Sequence, residues 1–177
     1  QTVGGKGASL GEMFNHKFPV PPGFVITAQS FEYFIRESKL KEKIKGIIEN
    51  TDMENTEQLN KSSKEIRSLI EHQEIPNELE NEIIESYKIL SSEKNKYWVK
   101  DPLKILKDKE LIFVSVRSSA TTEDLVDASF AGQQESFLNI KGKANLIEHI
   151  KKCFSSLYTP RAIYYRRKKG FSENEAL

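Results

Sequence analysis

The feature that most constrains the fold is a long polar loop between two short apolar runs, residues 111–116 (LIFVSV) and 136–140 (SFLNI). Short apolar or alternating runs of this kind are typical of half-buried strands. We therefore expect the two runs to pair as antiparallel strands and residues 121–134 to form a lid-like loop between them. The apolar residues that this pairing places across from each other are Phe137 and Ile140 on one run and Ile112 and Val114 on the other.

Arg117 stands at the mouth of this loop, directly after the first run. A guanidinium group that projects from a sheet edge can grip phosphate oxygens through two parallel hydrogen bonds. Small residues around Gly132 suit a loop whose backbone N–H groups fold over an anion. The alternative is a long hairpin in which Arg117 pairs with Glu123 or Asp124, because structural ion pairs give the same pattern.

A second candidate for anion chemistry is the glycine-rich stretch VGGKGASLGEM at residues 3–13. Glycines let the backbone approach a ligand closely, and the N-terminus of a following helix presents N–H groups and a positive dipole end. Lys6 adds a mobile positive charge. The stretch matches neither the P-loop nor the dinucleotide-binding pattern, so a flexible turn with a solvated lysine is the competing interpretation.

Composition excludes several classes of protein. The 177 residues include 27 Lys and Arg against 26 Asp and Glu, so no overall charge attracts nucleic acid or a membrane surface. A single cysteine, Cys153, excludes an internal disulfide and a cysteine-based zinc site. His16, His72 and His149 show no metal-ligand spacing, and no apolar run is long enough to span a bilayer. We expect no nucleic-acid or membrane partner and a cytoplasmic location.

Helical patterns occupy most of the remaining chain, so the predicted fold class is α+β with a small, mainly antiparallel sheet. A short buried strand is expected at residues 24–27, and Thr27 can cap the helix that follows. Residues 51–63 and 91–110 are interpreted as connector or insertion segments, the first of them a polar loop that passes into a helix. The predicted helices cover residues 8–16, 28–38, 40–50, 64–72, 76–90, 143–158 and the stretch from Pro160 onward.

Nearly the whole chain resembles the N-terminal ATP-binding region of the phosphoenolpyruvate synthase (pyruvate, water dikinase) and pyruvate phosphate dikinase family. The order and spacing of five stretches carry the resemblance, and the RSSATTED…SFAGQQ segment is the most specific of them. The five stretches are VGGKGASLGEM, VPPGFVITAQSFEYFI, IPNELENEIIESY, VSVRSSATTEDLVDASFAGQQESFLNI and KKCFSSLYTPRAIYYRRKKGF.

The resemblance implies an ATP-grasp fold, of which residues 1–177 would form a single partial domain, the first subdomain. It implies that Lys6 and Arg117 contact ATP phosphates and that Gly132 and Ser136 line the same site. It also implies Mg²⁺ ligands, a phosphohistidine domain and a pyruvate-binding domain in other parts of a longer enzyme, none of them in this chain. We therefore expect no metal ligand and no catalytic residue here, and an isolated chain without activity.

Two alternatives remain open. The same motifs occur in antibiotic phosphotransferases of the rifampicin type, whose phosphoryl acceptor is a drug hydroxyl instead of pyruvate. A non-catalytic binding module is the third possibility, with the basic run at residues 166–169 as its contact surface. Basic residues are favoured at a helix C-terminus, so a solvated helix end explains that run more simply.

Overall fold

The computed structural model describes residues 4–98, 111–119, 124–125, 128–129 and 135–170 of the chain. Within this part, α-helices predominate and two antiparallel strand pairs complete the fold, in agreement with the predicted α+β class. A 3₁₀ turn at Ser156–Tyr158 separates the last two helices. The helices are α1 (Gly5–Asn15), α2 (Ala28–Glu37), α3 (Lys41–Glu49), α4 (Thr56–His72), α5 (Asn77–Trp98), α6 (Lys143–Ser155) and α7 (Pro160–Lys168).

The strands pair as the loop and its flanking runs predict. β1 (Val114–Arg117) lies antiparallel to β4 (Ser136–Ile140). Val114 lies opposite Ile140 and Val116 lies opposite Phe137, whereas Ile112, also expected to face β4, precedes β1 and has no partner in the ladder. Of the expected lid-like loop at 121–134, the described part is the short antiparallel pair β2 (Asp124–Leu125) and β3 (Ala128–Ser129).

An irregularity in β4 sets this register. Between the pairs Val114–Ile140 and Val116–Phe137, two steps along β1 match three steps along β4, so β4 carries one extra residue. Asn139 absorbs it with a φ of 58°. Asparagine is among the few non-glycine residues that adopt this left-handed conformation readily. The bulge therefore lets Phe137 and Ile140 face the core although they are three residues apart.

The core lies between α2, α3, α4, α5 and α6. On α4 the buried positions Leu59, Ser63, Ile66 and Ile70 follow a spacing of four, three and four residues, so they share one helix face. The buried Ser63 hydroxyl is satisfied by the carbonyl oxygen of Tyr158, 2.7 Å away. The fully buried side chains at the centre are those of Phe34, Ile35, Ile48, Ile66, Ile70, Tyr87, Ile150, Tyr158 and Ile163.

Tyr87 of α5 holds the β1–β4 hairpin in place. Its hydroxyl donates to the carbonyl oxygen of Ile112, just before β1, and accepts from the N–H of Gly142, just after β4, at 3.2 Å. The ring itself is fully buried. One side chain thus joins both outer ends of the hairpin to the helical core, and the opposite ends, at Arg117 and Ser136, open toward the polar loop.

The described backbone departs from the predicted elements in three places. The strand predicted at residues 24–27 is wrong, because this segment forms no strand and pairs with none of the described strands. Thr27 caps α2 as predicted, with its Oγ1 accepting from the N–H of Ser30 at 3.2 Å. The helix α5 continues to Trp98, so the first part of segment 91–110 is helical, and the strand predicted at residues 111–116 begins only at Val114. The helix α4 begins at Thr56, so segment 51–63 passes from loop into helix as predicted. None of the described helices combines the length and hydropathy needed to cross a bilayer.

Candidate functional site

The N-terminus of α1 meets the end of β1. Lys6 Nζ donates to the carbonyl oxygen of Ser118 at 3.2 Å, and the N–H of Gly7 donates to Ser119 Oγ at 3.1 Å. The helix needs this second contact, because its N-cap residue, Gly4, has no side chain to satisfy the N–H groups of the first turn. The glycine-rich stretch and the segment after Arg117, 112 residues apart in sequence, are therefore adjacent in space.

Positive charge collects at this junction. Lys6 is half-buried in the first turn of α1, where the helix dipole adds a partial positive charge. Arg117 is exposed and pairs across the hairpin with Ser136, which is exposed as well. Lys6, Arg117 and Ser136 are thus brought to one end of the hairpin. Gly132 lies outside the described residues, as do the side chains of Glu123 and Asp124, with which Arg117 was alternatively expected to pair.

Ser118 adds an unsatisfied hydroxyl to the junction. Its Oγ is buried and has no hydrogen-bond partner among the described residues. Buried polar groups are nearly always hydrogen-bonded, so a hydroxyl in this state requires an explanation. A donor at this position, beside Lys6 and next to Arg117 in sequence, fits an anionic acceptor that none of the described residues provides.

Cys153 of α6 lies beneath the junction. Its Sγ is 3.8 Å from the carbonyl oxygen of Glu135, the residue before β4. The pKa of the Cys153 thiol is raised to about 12, mainly by burial and also by the Glu135 carboxylate, while the Lys6 ammonium acts in the opposite direction. The thiol is therefore neutral near pH 7 and unsuited to nucleophilic chemistry. Cys153 is a buried residue of the core.

A charged network fixes the start of β4, and sequence reasoning missed it. Arg67 of α4 contacts Glu135 Oε1 through Nη2 at 2.7 Å and Glu71 Oε1 through Nε at 3.7 Å. Ser155 Oγ of α6 donates to the same Glu71 oxygen at 2.5 Å. The only sequence signal was the four-residue spacing of Arg67 and Glu71, because Glu135 reaches them through the fold. The network holds the strand that carries Ser136 against α4 and α6.

Comparison with known proteins identifies the family. The family model described as "Pyruvate phosphate dikinase, AMP/ATP-binding domain" matches residues 1–177, the whole of the chain. The chain belongs to this family. The described part of this AMP/ATP-binding domain consists of a helical core and a two-stranded hairpin. The Lys6–Ser118 junction lies at one end of that hairpin.

Curated relatives of this AMP/ATP-binding domain are named phosphoenolpyruvate synthases. A probable phosphoenolpyruvate synthase of Methanocaldococcus jannaschii is 49% identical over 96% of the chain, which covers 13% of that relative. One of Archaeoglobus fulgidus is 47% identical over 98% of the chain and 21% of the relative. The phosphoenolpyruvate synthase of Helicobacter pylori is 46% identical over 96% of the chain and 20% of the relative. The chain thus spans about a fifth or less of these relatives.

The described part of the AMP/ATP-binding domain offers no metal centre. No three His, Cys, Asp or Glu side chains among the described residues lie close enough together to hold an ion. His16 follows the end of α1, and His72 and His149 lie on helix surfaces, with His149 also edge-on to Phe137 at 5.0 Å.

Two shallow surface grooves of the domain lie away from the junction. One, of about 410 Å³, is lined by Met53, Leu59 and Tyr164, and the other, of about 380 Å³, by Asn60, Arg67 and His72, among other residues. Neither touches Lys6, Arg117 or Ser136, so volume alone does not identify the candidate site.

The basic run at 166–169 is only partly a solvated helix end. Arg166 is buried, its Nη1 donates to the carbonyl oxygen of Leu157 at 2.6 Å, and its guanidinium carbon lies 5.3 Å from the centre of the Tyr158 ring. Arg167, Lys168 and Lys169 are exposed, as expected. Arg166 therefore packs against the 3₁₀ turn, because its position on α7 directs the side chain toward that turn.

Proposed function

We propose that this chain is the ATP-binding part of a phosphoenolpyruvate synthase, and that the Lys6–Ser118 junction is where it contacts the nucleotide phosphates. The observation that carries the proposal is the 3.2 Å contact between Lys6 Nζ and Ser118 O. It brings the two stretches with anion-binding character to one place. Lys6 and Arg117 thereby supply positive charge to one ligand from two separate parts of the chain.

Each group at the junction has a distinct role in this proposal. Lys6 contributes a compact positive charge, and Arg117 contributes a planar fork that matches phosphate oxygens. The buried hydroxyl of Ser118 donates to an anionic oxygen. Ser136, opposite Arg117, and Gly132 complete the contact surface. Phosphoryl transfer depends on positioning the phosphates and on neutralising their developing charge, and these groups serve that task.

The parent enzyme, in this proposal, converts ATP, pyruvate and water to phosphoenolpyruvate, AMP and phosphate through a phosphohistidine on another domain. The chain acts as the first subdomain of an ATP-grasp fold. The second subdomain closes over the nucleotide and provides the ligands for Mg²⁺, a cation that screens phosphate charge when bound. The small share of each relative that the chain covers supports the placement of these parts elsewhere in the polypeptide.

The competing functions have less support. The relatives reported above are named phosphoenolpyruvate synthases, which favours pyruvate over a drug hydroxyl as the phosphoryl acceptor. A nucleic-acid-binding module would use the basic run on α7, but Arg166 faces the interior there. Three exposed basic residues at a helix end, on a chain of nearly balanced charge, make a weak electrostatic surface.

The test is substitution of the two cations in the full-length parent enzyme. Arg117→Lys keeps the charge but loses the planar fork, and Lys6→Ala removes the other cation. Each change should weaken ATP binding or turnover by about 1.5–3 kcal/mol, which corresponds to roughly 10- to 150-fold. The double variant should lose less than the sum of the two effects, because both groups grip the same phosphates.

ATP affinity and turnover are measured beside thermal melting. Arg161→Lys is the matched control, because Arg161 is an exposed arginine of α7 beside a groove away from the junction. The melting temperature should stay nearly constant in all variants, since neither Lys6 nor Arg117 is a core residue. If Arg117→Lys leaves ATP handling unchanged and lowers the melting temperature by several degrees, Arg117 is a structural residue and the site assignment is wrong.

A further inference from the structure

The helix α1 buries none of its side chains, although it carries large apolar ones. Phe14, the most exposed of them, has 68% of its surface accessible, and Leu10 and Met13 lie on the same helix face. The segment that follows the helix carries three further exposed apolar side chains. We call the whole set the α1 surface; it comprises Leu10, Met13, Phe14, Phe18, Phe24 and Val25.

The α1 surface stands out from the rest of the described protein. Of the nine large apolar side chains exposed in the described part, six belong to it, and the other three lie on α5, on the segment before β1, and on β4. Exposed apolar residues that share one helix face, as Leu10, Met13 and Phe14 do, mark interaction sites, whereas single ones are ordinary. Between Ala8 and Asn15 the only charged residue is Glu12, so a complementary surface would be apolar rather than charged.

Gly11 gives a second, independent indication. Glycine in the interior of a helix destabilises it relative to alanine. A Cβ atom built at Gly11 would meet nothing within 4 Å, so no described contact requires a glycine there. Gly11 is three residues before Phe14 and therefore borders the apolar face. A glycine at this position is explained if another backbone packs closely against the helix.

We propose that the α1 surface is the interface for a part of the parent polypeptide outside residues 1–177, one that packs an apolar surface on α1. The inference rests on the proposed function in one respect, that the chain is part of a longer enzyme of this family. The chain covers 13–21% of these relatives, so most of each relative's sequence lies outside the matched region and is available for that contact. The contact lies on the helix that carries Lys6, so the docked part also fixes Lys6 at the candidate nucleotide site.

The direct test is photo-crosslinking in the full-length parent. A benzoylphenylalanine side chain replaces Phe14 in one variant and Ile89 in the control, because Ile89 is 58% exposed on α5 and outside the α1 surface. Peptide mass spectrometry then locates the crosslinks. We expect the probe at position 14 to crosslink within the same polypeptide to residues beyond the 177, and the probe at position 89 to give little product.

Other crosslinks would overturn the proposal. A crosslink from position 14 to a second copy of the protein would make the α1 surface an oligomer interface. A crosslink to residues within 1–177, or as little product as at position 89, would mean that no other part of the parent docks there.

Substitutions provide a readout that does not depend on the probe. In the parent, Phe14→Glu should lower the melting temperature by several degrees and raise the KM for ATP several-fold, whereas Ile89→Glu should change neither. Gly11→Ala should also lower the melting temperature, because the added methyl group meets the docked backbone. A higher melting temperature for Gly11→Ala would instead indicate a solvent-exposed helix and contradict the proposal.

The two proposals can fail separately. If Phe14→Glu has the expected effect on melting while Arg117→Lys leaves ATP handling unchanged, the interface holds and the nucleotide site is misassigned. If Arg117→Lys weakens ATP binding while Phe14→Glu behaves like Ile89→Glu, the site holds and the α1 surface is not an interface.

Discussion

Arg67 reaches from α4 to the carboxylate of Glu135, one residue before the strand that carries Ser136. The two side chains are about one quarter and one third exposed, so their attraction is only partly screened by water. Glu71 and Ser155 hold the other side of Arg67 in position. We infer that Arg67 acts on the nucleotide indirectly, by fixing where β4 begins.

The prediction is that Arg67→Ala in the parent raises the KM for ATP more than it lowers kcat, because it loosens the strand without removing a phosphate contact. Arg67→Ala and Glu135→Ala together should cost less than the sum of the two, with a coupling energy of about 0.5–1 kcal/mol. Arg36→Ala is the control, since the Arg36–Glu37 pair is well exposed on α2. Strictly additive effects of the two substitutions on the KM would show that Arg67 has no positioning role.

Single residues were predictable where one local pattern determined them. Cys153 and Tyr87 follow helical apolar spacing, and both are buried. Ser118 and Glu135 were not recognised, because their environments come from segments far away in sequence. The burial of the Ser118 hydroxyl near Lys6 and the contact of the Glu135 carboxylate with α4 cannot be recognised from the residues next to them in sequence.

Among the elements, β4 depends on one backbone conformation. The bulge at Asn139 lets Phe137 and Ile140 face the core together, and it requires a positive φ. Asn139→Val should destabilise the protein by about 1–2 kcal/mol, since a β-branched residue is strained in the left-handed region.

Asn139→Gly serves as the comparison, because glycine adopts this conformation freely. The measurement is thermal melting of the two full-length variants side by side. We expect the valine variant to melt at a lower temperature than both the wild type and the glycine variant. Equal melting temperatures for the two variants would show that the left-handed conformation does not hold the register.

Helices were the best-predicted elements, since a face with four-three-four spacing, as on α4, is a local property of the sequence. Their boundaries were less predictable. Lys39, with a φ of 53°, separates α2 from α3, and α5 runs on to Trp98 because no glycine or proline stops it. The strand at residues 24–27 was wrong because an apolar run forms a strand only where a partner lies beside it.

At the scale of the whole molecule, the chain spans about a fifth or less of the relatives named phosphoenolpyruvate synthase. None of the three histidines lies at the Lys6–Ser118 junction: His16 follows α1, His72 is on α4 and His149 on α6. Under the proposed function, the groups of the candidate nucleotide site hold phosphates, and the described part places no histidine there to accept one.

The isolated 177-residue chain should consequently form no phosphoenolpyruvate from ATP and pyruvate. The assay follows phosphoenolpyruvate in the presence of Mg²⁺, with the full-length parent as the positive control. ATP binding by the same preparation is measured separately, so that lost folding is distinguished from lost chemistry. Formation of phosphoenolpyruvate above the background of an enzyme-free sample would contradict this expectation.

The exposure of α1 affects how a measured affinity for nucleotide is interpreted. The contacts from α1 to β1 and its following loop include two hydrogen bonds, each of which contributes about 0.5–1.5 kcal/mol. Where such contacts open while the core stays folded, α1 exchanges between docked and undocked populations. Only the docked population presents Lys6 to a nucleotide, and the apparent dissociation constant equals the intrinsic one divided by that fraction. An affinity measured on the isolated chain therefore understates that of a protein in which α1 is permanently docked, and the ratio of the two affinities measures the docked fraction.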